Sequence, residues 1–93
     1  MSITVDSFFA TLRNLAASET TLYTLKQARP FKVRWNGKKW VFVPQRTMGE
    51  RWTDETKAGE VIKHFHKTGS LRYTDYKGIT ENGSYYCAVF DHM

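Results

Sequence analysis

Apolar residues at the start of the chain recur at helical spacing. Val5, Phe8, Phe9, Leu12 and Leu15 share one face of a helix predicted over residues 4–18, with Thr4 or Asp6 placed to cap it. Its polar face carries a single basic residue, Arg13, which marks it as a packing helix. Residues 20–28 are rich in β-formers and predict a first strand. The period then changes to strict alternation. Phe31-Lys32-Val33-Arg34-Trp35 and Lys38-Lys39-Trp40-Val41-Phe42-Val43 flank Asn36-Gly37, which predicts a hairpin with a two-residue turn and positive φ at both central residues.

That turn sets a register. Trp35 faces Lys38, Arg34 faces Lys39, Val33 faces Trp40, and pairing stops at Val43 because Pro44 lacks a donor. One face then holds Phe31, Val33, Trp35, Trp40 and Phe42 and is core; the other holds Lys32, Arg34, Lys39, Val41 and Val43 and is mixed and basic. Residues 45–52 read as a connecting loop. A second helix is expected from Thr53 or Asp54 to Lys67, with Ala58, Val61, Ile62 and Phe65 as its buried stripe and Gly69 as its left-handed stop. Leu71–Tyr76 and Ser84–Phe90, rich in aromatic and β-branched residues around Asn82-Gly83, are expected as strands; a short buried helix starting near Thr80 is the alternative. The pattern predicts one α+β domain over residues 1–93. It is a small antiparallel sheet of three to five strands with two helices on one face, in the order α-β-β-β-α-β-β.

Composition supports a folded domain. The 93 residues are 41% hydrophobic and 15% aromatic, so a few large rings supply the core. Cys87 is the only cysteine, which excludes an intramolecular disulfide. Residues 1–10 lack the basic start and apolar run of a signal peptide, and no stretch is long enough to span a membrane; a cytoplasmic location is the expectation.

Charge points toward partners. Fourteen Lys and Arg against nine Asp and Glu give +5, which favours an anionic partner, although such a charge also serves solubility. The hairpin gathers Lys32, Arg34, Lys38 and Lys39, with Arg34 and Lys39 directly opposed; like charges there repel, and a phosphate would relieve them. A charged face that deters strand aggregation is the plainer reading. Arg46 and Arg51 extend the field, while Asp54 and Glu55 at the next helix start oppose anion binding there. His64 and His66, two apart on a helix, cannot share a metal site, and no metal or cofactor is expected. Tyr73, Tyr76, Tyr85 and Tyr86, near Arg72 and Lys77, suit sheet packing or base stacking; Trp52 suits the core. Neither paired catalytic carboxylates nor a phosphate loop nor a nucleophile elbow is present, so no enzyme is expected.

The order helix, three strands, helix is similar to that of double-stranded RNA-binding domains. Those domains open their second helix with lysines, whereas here it opens Thr53-Asp54-Glu55-Thr56-Lys57, so no residue role carries over. The expectation is a non-enzymatic nucleic-acid-binding module acting through Lys32, Arg34, Lys38, Lys39, Arg46 and Arg51. The alternative is a module that docks an acidic protein through Trp, Tyr and Arg anchors.

Overall fold

The computed structural model describes residues 2–93. Helix α1 (Val5–Ala17) begins where Thr4 and Ser7 cap each other: the Ser7 N–H donates to Thr4 Oγ1 at 3.0 Å, and the Thr4 N–H donates to Ser7 Oγ at 2.9 Å. It buries Phe8, Leu12 and Leu15, the centre of the expected stripe. The first strand is far shorter than its β-propensity suggested. Only Leu22–Tyr23 (β1) pairs, and the chain then turns through residues 24–28.

The hairpin forms from β2 (Pro30–Trp35) and β3 (Trp40–Pro44) with its register displaced by two residues. Trp35 faces Trp40, Arg34 faces Val41, Lys32 faces Val43 and Phe31 faces Pro44. The cause is the Asn36 side chain. Its Oδ1 accepts the N–H groups of Lys38 (2.9 Å) and Lys39 (2.8 Å), folding residues 36–39 into a four-residue turn in which Gly37 alone has positive φ, 98°. The Asn36 N–H donates to Lys39 O and the Gln45 N–H to Pro30 O, so alternation puts Pro44 in a pair that needs no donor. Pairing therefore passes Pro44 instead of stopping at Val43. A shift of two leaves each side chain on its expected face, but it abolishes the opposition of Arg34 and Lys39.

Arg51–Trp52 (β4), expected as loop, pairs with β3 and completes an antiparallel sheet in the order β1-β2-β3-β4. Helix α2 (Glu55–Thr68) is capped by Asp54, whose Oδ1 accepts the Lys57 N–H at 2.7 Å, and ends at Gly69 with φ 64°. Thr53 is a tether instead of a cap. It is buried, and its hydroxyl donates to Trp40 O at 2.7 Å, tying the start of α2 to β3.

The last quarter is helical, not extended. Tyr73–Tyr76, expected in a strand, forms a 3-10 turn, and Gly83–His92 forms helix α3, the short buried helix that was the alternative for this stretch. Tertiary packing overrides β-propensity here. Tyr86 to Phe90 are all buried, and Phe8 of α1 lies 5.4 Å from Tyr86 and 5.7 Å from Phe90 between ring centroids. Gly83 admits this packing: a Cβ there would sit 3.0 Å from the Tyr73 carbonyl oxygen and 3.2 Å from Tyr76 Cβ. The molecule is thus α+β, with the order α-β-β-β-β-α-α and three helices where two were expected. One continuous core joins the helices to Phe31, Val33 and Phe42 of the sheet. Among the described residues, no helix is long and apolar enough to cross a membrane.

The core makes the protein sensitive to alkali. Burial foremost, with Asp54 second, raises the pKa of the Tyr86 hydroxyl, which has no hydrogen-bond partner among the described residues. Burial also pushes Tyr76 from its ordinary 10.0 up to about 12 and Cys87 from 9.0 up to about 11. The unfolded chain releases these protons first, so the stability they contribute is intact below pH about 9 and is lost as pH rises through about 11 to 12. Thermal melts should therefore fall steadily above pH about 9; a flat midpoint through that window would contradict the burial of these groups.

Candidate nucleic-acid interface

Alternation along the strands divides the sheet into two faces. The helices cover the side bearing Phe31, Val33 and Phe42. The opposite face carries Tyr23, Pro30, Lys32, Arg34, Val41, Val43 and Trp52, placed there by the register of β1 to β4. No strand residue is acidic. Val41 and Val43 lie outside the helix-packed core, yet they are 0% and 5% exposed. Val41 is flanked by Arg34 on one strand and Trp52 on the other, so long side chains shield it while their polar ends stay in water. The Lys39 ammonium lies 5.4 Å from the Trp52 ring centroid, and Arg34 is ion-paired with Glu50, which also accepts from Asn36 Nδ2 at 3.3 Å.

The six expected cations are therefore not gathered on one face. Lys32, on the uncovered face, and Lys39, beside it at Trp52, are half-buried. Arg34 shares that face, with Glu50 compensating its charge. Lys38 stands exposed in the turn, and Arg46 is exposed on the loop after Pro44. Arg51 pairs with Phe42 and so belongs to the other face, at the edge strand. Trp35 was expected in the core, but it is 51% exposed and forms a tilted pair with half-buried Trp40 at 5.3 Å, at the turn end of the hairpin.

Sequence reasoning missed three residues of this face. Trp52, expected to be buried, is 60% exposed, and Tyr23 is 56% exposed on the opposite edge strand. A two-residue strand leaves no periodic signal, so the side on which Trp52 falls could not be read. Glu50 left no signal either, because its pairing with Arg34 depends on how the loop returns.

The remaining candidates fall elsewhere. His66 Nε2 lies 2.5 Å from the Ile3 carbonyl oxygen, while His64 packs edge-on to Tyr76 at 5.0 Å, so the two rings address different neighbours. Cys87 is buried and its thiol is held protonated at neutral pH, which does not suit a nucleophile. Tyr76 and Tyr86 are packed; Tyr73 and Tyr85 are half-buried. No family model matches the chain, and neither the curated proteins searched nor the solved structures include a match.

Proposed function

We propose that this protein is a non-enzymatic module that binds single-stranded nucleic acid across the uncovered face of its sheet. The observation that carries the reading is the placement of two exposed rings, Trp52 and Tyr23, on the edge strands of a face whose strand charges are all positive. Three inter-strand spacings, about 14 Å, separate those edges, and Tyr23 at the level of Pro30 is offset along β2 from Trp52 at the level of Arg34, a diagonal that spans a few nucleotides. Bases splayed from a single strand stack on such rings, and Lys32, Lys39 and Lys38 meet the phosphates. A duplex hides its bases and would make poor use of the rings. The site of action we assign is the cytoplasm, where a reducing medium suits a single buried thiol.

Tryptophan fluorescence tests this reading. A short oligothymidylate at low salt should quench Trp52, and a duplex of equal length should quench it less. If three lysines meet phosphates, log K should fall against log salt with a slope of about −2 on a single strand. Absence of quenching at low salt would refute the reading and leave Trp35, Trp52 and the surrounding cations as anchors for an acidic protein.

A further inference from the structure

A second feature lies away from the uncovered face. The loop from Thr24 to Arg29, the stretch 71–74 and the first turn of α3 enclose a cleft of about 590 Å³, within the range of small-molecule sites. Lys26, Arg29 and Arg72 line it, and no carboxylate does. The Lys26 ammonium lies 6.0 Å from the Tyr73 ring centroid, and the Lys77 ammonium lies 6.0 Å from the same centroid. Asp75, the carboxylate of the 3-10 turn, is engaged by the Ser70 hydroxyl at 2.5 Å. Two ammonium groups thus flank the Tyr73 ring, and two guanidinium groups line the cleft beside it.

The walls are ordered by their own bonds. Thr24 is buried; its N–H donates to Arg29 O at 3.0 Å, and its Oγ1 accepts the Arg29 N–H at 3.0 Å. Ala28 within this loop holds φ 51°, a conformation that costs a non-glycine residue energy and is kept by these closing bonds. Tyr85 on the far wall is braced by Phe31 at 5.0 Å and by Phe42, stacked at 5.5 Å. The first turn of α3, beside the cleft, contains no acidic residue, and its N-cap Asn82 makes no side-chain capping bond.

An aromatic surface, a rim of cations and a helix start together match one ligand chemistry, a planar base carrying phosphate. We propose that this cleft binds a nucleoside phosphate, its base against Tyr73 and Tyr85 and its phosphate among Lys26, Arg29 and Arg72. A free nucleotide and the terminal nucleotide of a strand offer the same groups. The proposal is independent of the uncovered face, because none of the residues lining the cleft belongs to that face.

Calorimetric titration with ADP, adenosine and pyrophosphate tests it. ADP should bind, and adenosine and pyrophosphate should each bind at least about tenfold more weakly. Arg72→Glu and Lys26→Glu, both at exposed positions that leave the core intact, should weaken ADP by about tenfold or more, while Lys32→Glu with Lys39→Glu leaves it unchanged. In the Lys32→Glu, Lys39→Glu background, a preference for a 5′-phosphorylated over a 5′-hydroxyl oligonucleotide that exceeds the affinity for ADP would assign the ligand to a strand end, and the reverse to a free nucleotide. Absence of ADP binding at about 1 mM, equal binding of pyrophosphate, or indifference to both cleft substitutions would overturn the proposal.

Discussion

Phe8→Ala should cost about 3–5 kcal/mol, because it removes a fully buried ring at the junction of two helices. Phe8 stacks on Tyr86 at 5.4 Å and meets Phe90 edge-on at 5.7 Å, so no single neighbour can move to fill the space. For a chain of 93 residues the loss approaches the whole stability of a domain. The melting midpoint should drop by roughly 15–30 °C. Urea unfolding of the variant measures the loss directly; a change below about 1 kcal/mol would mean that α3 does not pack where it is placed.

The second large effect concerns the uncovered face. Trp52→Ala should weaken single-strand binding by about 1–3 kcal/mol, the worth of one stacked base. Lys32→Glu with Lys39→Glu should reduce the salt slope from about −2 to about −1 or less, since each lysine accounts for roughly 0.7 of it. Circular dichroism should remain unchanged, because neither lysine belongs to the helix-packed core. Arg34 behaves differently. Glu50 already compensates it, so Arg34→Ala should alter the slope little, while Glu50→Gln frees the guanidinium and should steepen the slope by about 0.7. Asp91→Asn, on a helix across the sheet, should leave it unchanged. Equal responses to Glu50→Gln and Asp91→Asn would show that only net charge matters.

The contrast between Arg34 and Lys39 shows where sequence reasoning reached and where it stopped. Alternation assigned the two faces of β2 and β3 correctly, because side-chain direction has a period of two and a register shift of two preserves it. Cross-strand partners depended on the turn, and Asn36 closes it with its own side chain, which leaves positive φ to Gly37 alone. The repulsion that first suggested a phosphate site is therefore absent, and the case for nucleic acid rests on Trp52, Tyr23 and the lysines beside them. Helices α1 and α2 were legible because amphipathic stripes, caps and the stop at Gly69 agree with one another. Helix α3 was not: burial on nearly every side leaves no periodicity, and its residues read equally well as a strand. The cleft was legible only as a cluster of tyrosines. The structure separates Tyr76 and Tyr86, which pack, from Tyr73 and Tyr85, which line it.

Nuclear magnetic resonance of the 15N-labelled protein, titrated with a short single-stranded oligonucleotide, tests the central claim most directly. Binding on the uncovered face should shift the amides of Lys32, Arg34, Val41 and Tyr23 and the indole N–H of Trp52, leaving the exposed side of α2 unmoved. Shifts confined to the helices, or none at low salt, would contradict it.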